Sequence, residues 1–266
     1  MFIGNMVTEA IPARVYALYR IVDAKGPITR SEIRRLMEPE ELCEDSSSYF
    51  SKIIKAAIEL DLISDSEGMV SVSVTKNEIK TMHEFRRYVI SVLPKFEHDQ
   101  FWKCSNVILN MNEKIYEFDS ISDSQMLNYL SEQLKETVKD TEIRGWRFWS
   151  QFLGFGYMNE FVFLPNAYVF VKDTISLMEL EKKKEYDFDE FMNKFINYGK
   201  IVLPAQVTDY RLNIALSNAL RQLHDNGEIE LRSRSDQEGK WVLYPSKESF
   251  NQHITSVVYK GVKRFE

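Results

Sequence analysis

The chain has 266 residues and a formal net charge of −6, with 34 Lys and Arg against 40 Asp and Glu. A strongly basic chain would indicate nucleic-acid binding, so any such binding here has to come from local patches. Hydrophobic residues make up 44% of the chain, with 10 glycines and 7 prolines, which excludes long disordered stretches. No apolar run approaches the roughly 18 residues of a membrane span, and the N-terminus lacks signal-peptide features, so we expect a cytoplasmic protein.

The cysteines and histidines are too scattered to predict a disulfide or a metal site. Cys43 and Cys104 are far apart and neither belongs to a CxxC pair. The 4 histidines lack the clustered spacing that zinc ligands need. The sequence also contains no glycine-rich phosphate loop, GxSxG elbow or HExxH pair. We therefore predict a protein that is not an enzyme and that carries no cofactor or metal.

The first predicted elements are two helices separated by a glycine–proline break. Pro12 can open the first helix, because its missing N–H costs nothing at that position, and Gly26-Pro27 ends it. Thr29 and Glu32 fit the capping box of a short second helix, which ends near Pro39. The predicted inward face of this second helix consists of Ile33, Leu36 and Met37.

A third helix and an alternating strand complete the first predicted module. Ser46-Ser47-Ser48 offers N-caps for this helix. Its predicted apolar stripe consists of Phe50, Ile53, Ile54, Ala57 and Leu60. Its predicted outer face carries Ser48, Lys52, Lys55 and Glu59. Valines alternate with serines over residues 69–74, the period of a half-buried strand that can pair with residues 62–64. Three helices followed by a hairpin predict a winged helix over residues 1–77.

The middle of the chain is helical and divides into two predicted parts. Residues 78–140 have helical apolar spacing and are interpreted as a helical linker region. Residues 141–182 are interpreted as a degenerate winged-helix-like unit, with an aromatic segment, a hairpin turning at Asn159-Glu160, and a helix opened by Pro165. The dense rings of residues 146–155 are more typical of a core or an interface than of a base-stacking platform.

The last predicted module, residues 183–266, repeats the order of helix and hairpin. Thr208 can cap a helix that runs to about His224, and Asn226-Gly227 ends it. The strand that follows is predicted to pair with residues 241–244 across a turn at residues 236–239. The predicted fold class is therefore mainly α with small β-hairpins, arranged as tandem winged helix-turn-helix modules.

Two surfaces of these modules are candidates for DNA contact. The third helix of the first module offers Ser48, Tyr49, Lys52 and Lys55, which suit phosphates better than base edges. The last module offers five cations, Arg211, Arg221, Arg232, Arg234 and Lys240. We expect its wing to bind more strongly, because Arg232 and Arg234 project to one face and the acidic tip at 65–67 opposes phosphate in the first module. A solvated face without a ligand stays the alternative for both surfaces.

Two stretches of sequence resemble a known family. They are residues 11–19 with Gly26-Pro27, and residues 149–156 followed by residues 163–167. They resemble bacterial defence-island proteins made of tandem winged helices, and in particular the DpdG family, the G component of loci that install and police 7-deazaguanine derivatives in DNA. The resemblance implies a non-enzymatic accessory or restriction role beside a DNA-processing machine. It implies as partners the other subunits of a defence complex, with double-stranded DNA as a further candidate, and no membrane.

Two other functions stay open on the sequence. The modules can form a protein-interaction scaffold within a larger ATP-driven complex, and the acidic balance of the chain favours protein contacts over DNA contacts. A winged-helix transcription regulator is the third hypothesis, and the missing ligand-binding domain weakens it.

Overall fold

The computed structural model describes residues 2–4, 6–39, 48–74, 78–204, 210–234, 241–246 and 252–262, apart from the side chain of Ser48. These residues form a mainly helical protein with small antiparallel sheets, as the sequence predicts. Within these ranges no helix is both long enough and apolar enough to cross a bilayer.

The first unit, residues 12–72, contains three helices and a three-stranded sheet. Its elements are α1 (Pro12–Lys25), β1 (Ile28–Thr29), α2 (Arg30–Met37), α3 (Ser48–Glu59), β2 (Ile63–Ser66) and β3 (Met69–Val72). The strands pair in the order β1-β3-β2, with Ile28 opposite Val70 and Ile63 opposite Val72. The predicted pairing of the valine strand with the residues after α3 is thus confirmed, and β1 adds a third strand to it.

Local signals explain the helix ends of the first unit. The first helix begins at Pro12 and ends at Gly26, whose φ of 77° is left-handed and favours glycine. The predicted capping box is present, because the Glu32 N–H donates to the Thr29 hydroxyl while the Glu32 carboxylate accepts from the Thr29 N–H. The predicted inward face of α2 is wrong for Leu36, which is 45% exposed, since this short helix buries only Ile33.

The apolar stripe of α3 is buried as predicted, but one residue assigned to its outer face is not exposed. The Glu59 side chain is 6% exposed, and its carboxylate accepts a hydrogen bond of 3.1 Å from the Phe2 N–H. Phe2 itself is fully buried and packs against Phe96, Phe101 and Trp149. The N-terminal residues therefore join the first unit to the middle of the chain.

The middle of the chain contains four helices and a hairpin. The elements are α4 (Met82–Val92), a 3-10 helix (Leu93–Phe96), α5 (Gln100–Asn110), a 3-10 helix (Asn112–Glu117), α6 (Ser124–Leu134), α7 (Asp140–Leu153), β4 (Gly156–Asn159) and β5 (Val162–Pro165). The predicted hairpin is present, but its turn lies at residues 160–161 and not at Asn159-Glu160, because Asn159 pairs with Val162. Trp146 and Trp149 are fully buried, and Trp149 donates its indole N–H to the Ala10 carbonyl at 2.8 Å. The interpretation of this aromatic segment as core is confirmed for both tryptophans.

The second unit, residues 168–259, repeats the element order of the first unit with an insertion. Its elements are α8 (Tyr168–Leu177), β6 (Glu185–Asp187), α9 (Phe188–Gly199), a 3-10 helix (Lys200–Val202), α10 (Ile214–Asp225), β7 (Ile229–Arg232), β8 (Trp241–Val242), β9 (His253–Ile254) and β10 (Ser256–Tyr259). The sheet order β6-β10-β7 matches β1-β3-β2, and the pair β8–β9 is inserted before the last strand. The helix α8 packs against both α9 and α10. The predicted domain boundaries after residues 77, 140 and 182 stay predictions.

Two predictions about this second unit are wrong. The strand β7 does not pair with β8 but with β10, where Leu231 lies opposite Val257, because the chain between them forms the separate pair β8–β9. The helix α10 begins at Ile214 and is capped by Asn213, whose side chain accepts from the Leu216 N–H at 2.9 Å. Thr208, the predicted cap, and the predicted turn at 236–239 lie outside the described residues.

Candidate nucleic-acid interface

One face of α3 presents an aromatic ring and two amines to solvent. The apolar stripe of α3 faces the core of the first unit, which leaves the opposite side of the helix exposed. Tyr49 is 40% exposed, and Lys52 and Lys55 are exposed as well. These three residues are spaced three apart, so they line up along the helix surface. We call this set the α3 face; Ser48 begins the same helix, and its side chain lies outside the described part.

The cations of the α3 face are weakly compensated by carboxylates. Lys52 forms no ion pair with any residue that the structure describes. The ion-pair partner of Lys55 is Glu59, with Nζ 3.8 Å from Oε1, and the Lys55 side chain is 65% exposed. Both amines can therefore reach a phosphate without first breaking a strong internal pair.

Arg14 extends the α3 face from the neighbouring helix α1. Its guanidinium carbon lies 5.2 Å from the centre of the Tyr49 ring, within the range of a cation–π contact. A hydrogen bond of 3.0 Å to the Glu9 carbonyl holds this guanidinium in place. Sequence reasoning missed Arg14 as a site residue, because no periodicity within α1 shows that this position meets the start of α3.

The acidic tip of the β2–β3 hairpin is partly neutralised. Arg30 forms an ion pair with Asp65, whose carboxylate also accepts from the Gly68 N–H at 3.1 Å. The Asp65 side chain is consequently only 10% exposed, while Glu67 remains exposed. The predicted opposition between this tip and a phosphate backbone therefore rests on Glu67 and not on Asp65.

The two arginines of the predicted wing in the second unit share a face, but both are engaged by carboxylates. Arg232 Nη1 and Arg234 Nη2 lie 2.8 Å and 2.6 Å from the two carboxylate oxygens of Glu185. Arg232 also pairs with Glu230 at 2.8 Å. Their projection to one face is confirmed, and that face holds the carboxylates that compensate them.

The carboxylates in this cluster are held ionised. Hydrogen bonds from Lys260 and then Arg232 lower the pKa of Glu230 to about 2. A hydrogen bond from the Ser256 hydroxyl, followed by the charges of Arg234 and Arg232, lowers the pKa of Glu185. The cluster is thus a network of paired charges on the sheet and not an uncompensated basic patch.

The remaining predicted cations of the second unit do not form one helix face with the wing. Arg221 is 9% exposed and donates to the Tyr244 carbonyl at 2.6 Å, because most of α10 is buried. Arg211 is exposed but lies before α10, where it lines a cleft of about 410 Å³ that Asn110 also lines. Lys240 lies outside the described residues. Of these predicted cations, Arg221 is therefore buried and Arg211 lies outside α10.

The N-terminal end of α10 is covered by side chains from the middle of the chain. The Ile214 N–H donates to the Asn112 side-chain oxygen at 2.9 Å. Asn213 donates to the Asn110 side-chain oxygen at 2.8 Å and to the Val202 carbonyl at 2.7 Å. A helix that reads a major groove contacts base edges with its N-terminal residues. In this structure those residues of α10 are committed to internal contacts.

The structure thus defines a helical protein with two units of the same strand order, of which the first presents an exposed cationic helix. Among the described residues, no group of three or more His, Cys, Asp or Glu is arranged to hold a metal ion. The family model described as DpdG-like matches residues 1–237, and the chain belongs to the DpdG-like family. This membership indicates a component of a DNA-modification locus. No curated protein and no solved structure matches the chain.

Proposed function

We propose that this chain is a non-enzymatic, DNA-associated accessory component of a bacterial anti-phage or restriction system that belongs to a DNA-modification locus. Its first unit acts as a winged helix that contacts duplex DNA through the α3 face. The family membership supports the locus, and the order of helices and strands in residues 12–72 supports the winged helix. The second unit, with the same strand order, is a second winged helix with an enlarged wing.

The single observation that carries the DNA contact is the exposure of Lys52 and Lys55 on the third helix of the first unit. In a winged helix this helix enters the major groove, and the hairpin touches the backbone. The amines and the phenol of this face suit contacts to phosphates. Such contacts position a protein on the duplex without reading the DNA sequence. The helix α3 itself has no Arg, Asn or Gln for bidentate base readout, and Arg14 beside it is held by the Glu9 carbonyl, so we expect binding that depends little on DNA sequence.

The second unit supports the fold and contributes less to DNA contact. Its third helix, α10, is covered at the N-terminal end by Asn112 and Asn110. Its wing arginines would have to exchange Glu185 for a phosphate before they could contribute to binding. We therefore expect the first unit to bind DNA more strongly, the reverse of the ranking that the sequence predicts.

The non-enzymatic part of the proposal is supported by the state of Cys104. This thiol is fully buried, and its burial raises the pKa to about 12. The thiolate is the reactive form of cysteine, so Cys104 has neither the ionisation nor the access that a nucleophile needs. Cys43 lies outside the described residues.

A salt titration of binding to a random-sequence duplex tests the DNA contact. The variant Lys52→Ala/Lys55→Ala removes two cations, and each phosphate contact contributes about −0.9 to the log–log slope. We expect weaker binding and a slope flatter by about two units. The matched control is Lys103→Ala/Lys200→Ala, which removes two exposed amines that already pair with Glu136 and Glu97. Equal effects of the two variants would contradict the proposal.

A protein-interaction scaffold is the second candidate function, and one observation favours it. The tip of the β4–β5 hairpin exposes 67% of Phe161, a large apolar residue. The two functions are compatible, because the α3 face and this hairpin use different elements.

A further inference from the structure

The tip of the β4–β5 hairpin presents an aromatic ring from a fixed backbone. Glu160 and Phe161 form the two-residue turn between the paired residues Asn159 and Val162, and Glu160 has a φ of 54°. The Ile121 N–H donates to the Phe161 carbonyl at 3.1 Å, which ties the turn to the segment before α6. The ring of Phe161 is nevertheless 67% exposed. A large apolar side chain is thus held in solvent at a defined position.

The outer face of this hairpin is largely apolar as well, with Asn159 as its polar member. Side chains alternate along a strand, so Met158 and Phe163 face one way while Tyr157 and Leu164 face the other. Phe163 is buried and packs against Trp146 with ring centres 5.0 Å apart, which makes its side the inner one. On the outer side, Tyr157 is 55% exposed.

Tyr116 adjoins this outer face from the 3-10 helix Asn112–Glu117. It is 49% exposed, and its pKa is raised by partial burial and then by the neighbouring Tyr157 and Glu113. The 3-10 helix that carries Tyr116 packs against β5, the strand paired with the one that carries Tyr157. We call the following residues the hairpin surface: Tyr116, Tyr157, Phe161, Val162 and Leu164.

Exposed carboxylates adjoin the hairpin surface along the chain. Glu117, Asp119 and Glu160 are exposed and lie within three residues of Tyr116 or Phe161, and none of them pairs with a cation among the described residues. The neighbouring cation, Lys114, lies over the ring of Tyr129 with Nζ 4.1 Å from its centre. The rim of the hairpin surface is consequently acidic, which opposes a phosphate backbone.

We propose that the hairpin surface docks a second protein, whose contact strip carries apolar side chains flanked by Arg or Lys. Exposed aromatic rings fill pockets and supply much of the binding free energy at protein interfaces. Guanidinium groups of the partner can stack on the tyrosine rings while they pair with the rim carboxylates. The exposed rings and the acidic rim therefore both favour a partner with apolar side chains beside Arg or Lys.

A second copy of this chain is a poorer occupant than a different protein. A two-fold dimer places the same patch on both sides of the interface. The acidic rim of one copy would then meet the acidic rim of the other, and like charges brought together disfavour association. The acidic rim thus argues for a heterologous partner.

Pairwise binding to each of the other proteins encoded at the same DNA-modification locus tests the proposal. The tagged full chain is immobilised, and each purified locus protein is titrated onto it at about 0.15 M salt. We expect at least one of them to bind, and Tyr157→Ser/Phe161→Ser to weaken that binding at least about tenfold. Glu117→Lys/Glu160→Lys should weaken it as well and remove most of its dependence on salt. Phe148→Ser, which removes a ring exposed on α7, is the control and should leave binding unchanged.

Three outcomes would overturn the docking proposal. They are the absence of binding by every locus protein, binding that the hairpin variants leave intact, and a concentration-dependent dimer of this chain that the same variants abolish. DNA binding of the hairpin variants, measured in parallel, should equal that of the wild type. The docking proposal and the DNA contact at the α3 face can therefore fail separately.

Discussion

Lys172 Nζ lies 2.8 Å from Glu228 Oε1, and the two side chains are only 6% and 3% exposed. This ion pair joins α8 to the residue just before β7, so it connects the first helix of the second unit to its sheet. The other Glu228 oxygen lies 3.5 Å from the Tyr168 hydroxyl, which accepts from the Asn226 side chain at 3.0 Å. The fold therefore buries the Glu228 carboxylate together with its cation.

Removing one partner of this pair should destabilise the protein strongly. Lys172→Met leaves the Glu228 carboxylate buried without its cation, and the loss of one partner of a buried pair costs about 3–5 kcal/mol. The double variant Lys172→Met/Glu228→Leu should recover most of that loss, because both charges leave together. Urea denaturation of the two variants measures the difference. Equal destabilisation by both would show that packing, and not the buried charge, dominates.

Neutralising the wing arginines should affect the fold more than DNA binding. In Arg232→Ala/Arg234→Ala the carboxylate of Glu185 loses both of its guanidinium partners. We expect a lower unfolding midpoint but a log–log salt slope of duplex binding that stays within about half a unit of the wild type. A slope flatter by about two units would restore the ranking that the sequence predicts, with the second unit as the main DNA surface.

The pH dependence of stability should carry a signature of Glu230. Hydrogen bonds from Lys260 and Arg232 lower its pKa from 4.5 to about 2 in the folded protein. A carboxyl whose folded pKa is depressed adds stability above its unfolded pKa, and that stability is lost as the pH falls towards the folded value. Wild type should therefore exceed Glu230→Gln in stability at pH 6, and the gap should shrink as the pH falls from about 4.5 towards 2. Urea midpoints measured across this range check it, and a gap independent of pH would contradict it.

Two left-handed glycines should respond differently to alanine. Gly154 ends α7 with a φ of 79°, and a Cβ placed there would lie 2.5 Å from Cβ of Val169. Gly26 ends α1 with a φ of 77°, and a Cβ there would meet nothing within 4 Å. Gly26→Ala should cost only the conformational term, about 1–3 kcal/mol, because its ψ of −158° lies in a backbone region almost confined to glycine. Gly154→Ala should cost more stability, because the overlap with Val169 forces α8 to shift. Thermal unfolding of both variants measures the two losses of stability, and equal losses would contradict this prediction.

Much of the first unit could be predicted from the sequence because its signals are local. Pro12, Gly26 and the Thr29–Glu32 capping box act on backbone groups within a few residues of themselves. The apolar stripe of α3 and the valine alternation of β3 each fix which side faces the core. The exposure of Lys52 and Lys55 follows from that stripe, so this part of the candidate site was also predictable.

The second unit differs from its sequence prediction wherever a strand or a helix cap depends on residues far away in the chain. The choice between β8 and β10 as the partner of β7 depends on the pair β8–β9, which no local pattern in β7 shows. The start of α10 depends on Asn213, which is held by Asn110 from a helix about a hundred residues earlier in the chain. Side chains that cap or pair over such distances have no periodicity that the sequence reveals.

The sequence by itself determined the helical class, the ends of α1, the hairpins of the first unit and of the middle, and the resemblance to the DpdG family. Those features depend on local backbone chemistry, on apolar periodicity and on short motifs. Only the tertiary structure decided that Arg221 is buried and that Arg232 and Arg234 are held by Glu185. The reason is that the charge a surface presents depends on which side chains the fold brings within a few ångströms, and Glu185 and Arg232 are 47 residues apart.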